Sequence, residues 1–258
     1  MKKIISWNVA SIRARMDTLK RLLETEQPDI LFLQEIKVEE EKFPFLELQS
    51  MGYYTVISGQ KAWNGVAILS KEPLEFISNA LKGFEDQARF IEAILPNQTH
   101  LISVYVPNGQ APQNNPNDTA RLEYKLKWLS ALKEHLSQSH NYIIGGDFNV
   151  IYKDEDVYNP NLFTDSALMV PAVRKAFEEL LTLPMINPLR ECHKDEKFYT
   201  FWDFQGGAWH KNNGIFLDYI FLSKTEFKNK IIQADVLKEY RSCEKPSDHA
   251  PVVVKIED

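Results

Sequence analysis

Cysteine is nearly absent: Cys192 and Cys243 are the only two in 258 residues. They have neither the number nor the spacing of a disulfide framework, and no Cys/His cluster is spaced for zinc. A surplus of positive charge is missing too. The formal net charge is −6, so the basic footprint of a simple nucleic-acid-binding module is lacking. An enzyme acting on a polyanion stays open, because carboxylates gathered around a cation push the count negative. No window approaches the ~20 apolar residues of a membrane span. The opening "MKKIISWNVASIRARM" breaks its short apolar run at Trp7 and Asn8 and then brings arginines, a poor signal peptide. The polar loops at 108–119 and 206–214 are too short to separate independent domains. The expectation is a soluble cytoplasmic protein with reduced thiols, a monomer whose one domain spans residues 1–258.

Apolar runs are what the chain does have. Alternating or continuous runs predict strands at Lys3–Trp7, Ile30–Gln34, Tyr53–Ile57, Val66–Ser70, Arg89–Leu95, Leu101–Tyr105, Tyr142–Gly146, Tyr199–Trp202, Leu217–Leu222 and Val252–Ile256. Helical spacing predicts helices over "MDTLKRLLET", "TARLEYKLKWLSALKEHL" and "PAVRKAFEELL". In the second of these Leu122, Leu126, Leu129 and Leu132 form the apolar stripe. Strands with interspersed helices indicate a layered α/β sandwich. "ISWNV" and "GGDFNV" echo each other, both ending an apolar strand in aromatic-Asn-Val.

The strand ends carry the chemistry. Asn8, Glu35, Tyr105 with Asn108, Asp147 with Asn149, Asp218, and Asp248 with His249 each stand at an end of an apolar strand. Asp and Asn are poor strand formers. In extended chain Asp147 and Asn149 share a face while Phe148 turns to the other. One such residue is commonly a turn former; six such ends imply groups held together on a rigid scaffold. Asn, Glu and Asp are hard oxygen ligands that suit magnesium or manganese. A carboxylate beside a histidine fixes the ring and favours its charged form. Cation and imidazolium facing one phosphate would stabilise the charge built up as water attacks, and another carboxylate would take the water's proton. That chemistry is metal-assisted phosphodiester hydrolysis.

"SWNVASIRA", "LQEIK", "YVPNG", "GGDFNV", "TFWDFQGGAW" and "KPSDHAP" resemble, in order and over nearly the whole chain, the signatures of the exodeoxyribonuclease III family of abasic-site endonucleases. These belong to the endonuclease/exonuclease/phosphatase superfamily. The resemblance implies a four-layer α/β sandwich, two mixed β-sheets packed face to face with helices on the outer faces. It implies Mg²⁺, with Mn²⁺ as a substitute, and duplex DNA with abasic or blocked 3′ ends as partner. It implies incision 5′ to abasic sites in base excision repair, with 3′-phosphodiesterase and 3′→5′ exonuclease activity.

By the same resemblance Glu35 is a metal ligand with Asn8 beside it, and Asp248 lies near the metal. Asp147 orients or deprotonates water, Asn149 positions water and phosphate, and both border the metal. His249 contacts phosphate beside the metal and Asp218 orients it, while Tyr105 and Asn108 contact phosphate. On this resemblance one or two cations act, and Asp147, a metal-bound hydroxide or the tyrosine activates water. Phe201, Ile215 and Leu217, with Trp202 adjacent, correspond to an apolar pocket for the extruded sugar. Trp209 is the candidate wedge, with Lys211, Asn212, Arg13, Lys61 and Asn64 near DNA. Two positions depart from the resemblance. Ala10 stands where many relatives have Asn or Asp supporting the metal, which predicts weaker metal binding. Phe216 stands where relatives have Arg, which predicts the loss of a cation that touches DNA. Two rival readings remain: a phosphodiesterase for lipid or inositol head groups, and a non-catalytic binding regulator of the same fold.

Overall fold

The alternation that predicts a first strand at Lys3–Trp7 is realised one residue longer at each end in the computed structural model, which describes residues 1–194 and 196–257. The strands are β1 (Lys2–Asn8), β2 (Ile30–Gln34), β3 (Tyr54–Ser58), β4 (Val66–Ser70), β5 (Glu75–Ser78) and β6 (Phe90–Ile94). They continue as β7 (His100–Tyr105), β8 (Tyr142–Asp147), β9 (Met185–Ile186), β10 (Asp218–Ser223), β11 (Ile231–Val236) and β12 (Val252–Ile256). They form two six-stranded sheets, ordered β11-β12-β1-β2-β4-β3 and β5-β6-β7-β8-β10-β9. Each sheet has one parallel pair at its centre, β1 with β2 and β7 with β8. The other pairs are antiparallel, so both sheets are mixed.

The sheets pack face to face. Ile4, Phe32, Val66, Ile68, Leu101, Ile143 and Val254 belong to one buried cluster, while Ile5, Trp7, Leu31 and Leu33, one residue out of phase, belong to another. The second cluster is covered by Leu19, Leu22 and Leu23 of the helix Met16–Glu26. The outer face of the other sheet is covered by the helices Ala120–Ser137 and Pro171–Leu180, through Trp128, Leu132, Val173 and Phe177. Helix, sheet, sheet, helix makes four layers, as expected.

The glycine pair at the end of β8 belongs to this packing. A Cβ on Gly145 would collide with the ring of Phe32 on the facing sheet, and one on Gly146 with the Val104 carbonyl on the neighbouring strand. Between the sheets, directly under the strand ends, Gln34 donates to Ser6 Oγ at 3.3 Å and Ser103 Oγ at 3.2 Å. Ser103 Oγ in turn donates to the Leu33 carbonyl at 3.1 Å. This polar bridge fixes the separation and register of the sheets beneath the site.

Three strands lie outside the sequence reading: β5, β9 and β11. All are short or at a sheet edge, where burial patterns such as "ieeBeB" for β11 leave no apolar run to read. The strand expected at Tyr199–Trp202 is not formed. Phe201 makes only isolated bridges to Ile215 and His249 there. The stripe expected on the helix Ala120–Ser137 is rotated: Lys125, Trp128, Leu129, Leu132 and Leu136 are buried, whereas Leu122 and Leu126 are only partly so.

Candidate active site at the strand ends

The parallel registers bring distant residues to one edge. Asn8 is paired with Gln34, so Glu35 emerges beside it. Tyr105 is paired with Asp147 in parallel, and Asp218 with Asp147 in antiparallel. The loop entering β12 adds Asp248 and His249, because β12 runs antiparallel to β1. Ser247 Oγ donates to the Asn8 carbonyl at 2.7 Å and Trp7 Nε1 to the His249 carbonyl at 3.1 Å, which locks that loop to β1. Arg15 reaches the carbonyls of both Ala10 and Pro246, tying the same two loops from above.

Asp147 is the hub. Its Oδ1 accepts the Asn149 backbone N–H at 2.9 Å. Its Oδ2 accepts Asn8 Nδ2 at 3.1 Å and Asn149 Nδ2 at 3.4 Å, and lies 3.7 Å from His249 Nε2. Asn8 Nδ2 also donates to Glu35 Oε1 at 2.9 Å, while its Oδ1 accepts the Ala10 N–H at 3.0 Å. Asn149 has left the strand with φ 51°, a conformation Asn tolerates better than most residues. Its amide still turns back to Asp147 and to the Val106 carbonyl at 2.9 Å, and Asn108 Nδ2 donates to its Oδ1 at 3.3 Å. Phe148 turns away as alternation requires, against Phe177, Tyr219 and Phe221.

Behind the hub, His249 Nδ1–H donates to Asp218 Oδ2 at 2.8 Å. Asp218 Oδ1 is buried without a partner. Burial opposes charge on His249, but Asp218 and Asp147 outweigh it and hold the ring protonated well above its ordinary range. Burial, helped by Asp218 and Glu35, pushes the Asp147 carboxyl up, against the pull of His249. Glu35 goes the other way: burial raises it, yet Lys37 at 2.7 Å and the Asn8 amide bring it below its ordinary value. The Tyr105 phenol is pushed far up by burial and by the charges of Glu35 and Asp147. It therefore stays protonated at neutral pH.

Glu35, Asp147 and His249 each offer an atom within 4.8 Å of the others, a spacing that admits a metal ion. His249 uses Nδ1 on Asp218 and is protonated, so the two carboxylates are the donors best suited to a hard cation. Asn8 and Asn149 turn amide N–H groups toward Asp147, the orientation of a clamp. Asp248 is half-buried just outside this trio, its Oδ1 accepting Ser247 Oγ at 3.3 Å.

The expected DNA-contacting residues divide. A cleft of about 500 Å³ is lined by Phe201 and Ile215 together with Tyr158, Phe163, Leu168 and Asn213. The Phe201 ring stands 5.0 Å from that of His249. Leu217 lies in the same apolar cluster but does not line the cleft. Trp202 is fully buried, its Nε1 donating to Asn212 Oδ1 at 3.1 Å, so it supports the wall from behind. Trp209 is half-buried, its ring packed edge-on against Trp202 at 4.8 Å with the Arg241 guanidinium over it. Lys211 is exposed but closes its own loop by donating to the Gly206 carbonyl at 2.9 Å. Arg13 and Lys61 are exposed, and Asn64 is buried, donating to Gln60 Oε1 at 2.9 Å. Phe216 is 0 % exposed: the side chain at this position packs inside the protein.

Sequence reasoning missed four residues. Lys37 pairs with Glu35, and its signal was its place two residues further on. Arg89 lies over the Tyr105 ring at 4.7 Å, and with the exposed Trp63 it lines a second groove of about 900 Å³ that begins at Tyr105 and Asn108. Lys125 is fully buried beneath the site; burial lowers its ammonium from the ordinary value, opposed by Asp147 and by the carbonyls that accept its N–H bonds. Nothing in a helical apolar pattern marks a lysine as buried.

A model of the endonuclease/exonuclease/phosphatase family matches residues 5–249. Exodeoxyribonuclease III of Haemophilus influenzae is 31 % identical over 97 % of this chain and 98 % of its own. Among solved structures, an AP endonuclease from Archaeoglobus fulgidus matches with a TM-score of 0.93 at 34 % identity, covering 100 % of both chains. A 3′ phosphatase from Neisseria, bound to a product DNA hairpin, matches with a TM-score of 0.91 at 34 % identity over 100 % of both chains.

Proposed function

Since the chain belongs to the endonuclease/exonuclease/phosphatase family, on its exodeoxyribonuclease III branch, we propose that the strand-end site hydrolyses the phosphodiester 5′ to abasic sites in duplex DNA. The chain is a DNA repair nuclease. The same site serves 3′-phosphodiesterase and 3′→5′ exonuclease reactions, because each presents one phosphodiester to the same groups. The observation that carries this reading is Asp147 held between the Asn8 and Asn149 amides and faced by the His249–Asp218 pair.

Each group has a task that its surroundings support. Asp147, held between the Asn8 and Asn149 amides and faced by His249, is placed to accept the proton of an attacking water. Asn149 orients that water and Asn108 the phosphate. His249, kept as imidazolium by Asp218, neutralises charge on the phosphoryl oxygens as the transition state forms. Tyr105 remains a phenol and so donates a hydrogen bond to phosphate instead of acting as base. Glu35 and Asp147, with Asp248 nearby, would hold Mg²⁺ or Mn²⁺, which would supply Lewis-acid stabilisation of the phosphate. Phe201 and Ile215 wall an apolar cleft beside His249 that would take the extruded sugar of an abasic site.

The test is a labelled duplex with one tetrahydrofuran abasic analogue, incubated with Mg²⁺ or with EDTA beside an intact duplex and a lipid head-group ester. Incision 5′ to the analogue, abolished by EDTA, is the expected result. Asp147→Asn and His249→Gln should each lower the rate by at least about 10³-fold with the fold retained. No incision with Mg²⁺ or Mn²⁺ across a pH series would overturn the reading.

A further inference from the structure

Lys125 lies at the centre of the buried face of the helix Ala120–Ser137, with 0 % of its surface exposed. Its Nζ donates to three backbone carbonyls: Asn108 at 3.0 Å, Asn149 at 2.6 Å and Ala167 at 2.8 Å. Three acceptors match the three N–H bonds of an ammonium group. They belong to three separate segments: the loop leaving β7, the loop leaving β8, and the stretch that sends Leu168 into the cleft wall. Gly109, at φ 83°, lets the first loop close over the lysine, since a Cβ there would stand 2.8 Å from Lys125 Cδ.

Two of the three carbonyls belong to residues whose side chains face the reacting groups. Asn149 holds a left-handed φ of 51°, and turning its peptide would withdraw its amide from Asp147. Asn108 Nδ2 reaches Asn149 Oδ1 at 3.3 Å, while its Oδ1 accepts the Gln110 N–H at 3.2 Å. Ala167 N–H in turn donates to Gln110 Oε1 at 3.3 Å, linking the third segment to the first.

We propose that Lys125 is a positioning residue for the hydrolysis: by gripping the carbonyls of Asn108, Asn149 and Ala167 it sets both asparagine amides and joins them to the cleft wall. The inference rests on the reading given under Proposed function. A lysine that merely fills the core would affect stability alone. One that positions Asn149 must lose its effect on the rate when Asn149 is already gone.

Lys125→Met keeps the aliphatic stem and removes all three donors. For the abasic duplex it should lower kcat about 100-fold, a typical cost of displacing a catalytic group by an ångström, with KM changed less than about threefold. In a double-mutant cycle, adding Lys125→Met to Asn149→Ala should cost little beyond Asn149→Ala alone. Lys125→Arg, which keeps donors and charge, should recover part of the rate. A folded Lys125→Met with normal kcat, or full additivity with Asn149→Ala, overturns the proposal. Should Lys125→Met fail to fold, the same cycle is run with Lys125→Arg, where additivity again overturns it. A wild-type protein that does not incise the abasic duplex sinks the parent reading, and this inference with it. An active wild type beside an undiminished Lys125→Met sinks the inference alone.

Discussion

Ala10 and Ser11 leave β1 with φ of 45° and 95°, a region that costs non-glycine residues roughly 1–2 kcal/mol each. Hydrogen bonds hold them there: Ala10 N–H to Asn8 Oδ1 at 3.0 Å, and Ser11 N–H to the Glu35 carbonyl at 2.7 Å. The strained pair thereby aims both Asn8 and Glu35. Aspartate tolerates a left-handed conformation better than alanine and would add a carboxylate beside these two residues. Ala10→Asp should therefore lower the Mg²⁺ concentration for half-maximal incision by about tenfold, since carboxylate count tunes affinity for hard cations. Titrating activity with Mg²⁺ and binding with Mn²⁺ checks this. Equal half-saturation in both forms would remove position 10 from the metal environment.

At the level of elements, the short helix Pro188–Cys192 brings a cation to the inner side of Phe216. It presents Arg190, whose guanidinium stacks over Phe198 at 4.6 Å and Phe216 at 5.2 Å and pairs with the buried Asp156. Asp156 accepts the Lys153 N–H at 2.9 Å, and its carbonyl accepts the Phe216 N–H at 2.7 Å. The segment next to it reaches the cleft wall through the Val157–Ile215 bridge. Arg190→Met leaves a buried carboxylate without its partner and should cost about 3–5 kcal/mol in urea unfolding. Phe216→Arg should destabilise without tightening duplex binding, because the side chain has no route to solvent. Tighter binding in a fluorescence-anisotropy titration would refute that placement.

Across the whole molecule, the two sheets are built alike. β1 and β8 occupy the same place in their sheets, each parallel to one neighbour, and the "ISWNV" and "GGDFNV" echo falls on them. Their facing ends bring Asn8 to Asp147, so the site lies across the sandwich and depends on the sheets staying in register. A second buried group ties one sheet to its covering helix. Glu92 of β6 accepts from His100 at 2.6 Å and from His135 on the helix Ala120–Ser137 at 2.9 Å. Burial raises the Glu92 carboxyl, but the two histidines outweigh it and bring it below 4.5. A carboxyl depressed in the folded state lends stability that is present above its unfolded value and is lost as pH falls through the folded one. Glu92→Gln should thus lower the urea midpoint at neutral pH, and the gap to wild type should close as acid protonates the carboxyl. A constant gap between the two proteins down to pH 3 would exclude this linkage.

The strand-end set was legible in the sequence because its signals are local. Alternation assigns each side chain to a face, and Asp or Asn at the end of an apolar run stands out against its neighbours. Asn8, Glu35, Asp147, Asp218 and His249 could therefore be picked out one by one, and the long helices with them. What lies inside was decided by contacts between residues far apart in the chain. The stripe of Leu122, Leu126, Leu129 and Leu132 gave no reason to bury Lys125, whose burial follows from three loop carbonyls that need donors. The packing of Trp209 against Trp202 and Arg241, and of Phe216 against Arg190, likewise joins residues that no local pattern connects. Periodicity and propensity act over a few residues and so determine strands and their polar ends; burial and pairing arise only when the two sheets close, and they decided which of the remaining side chains stay at the surface.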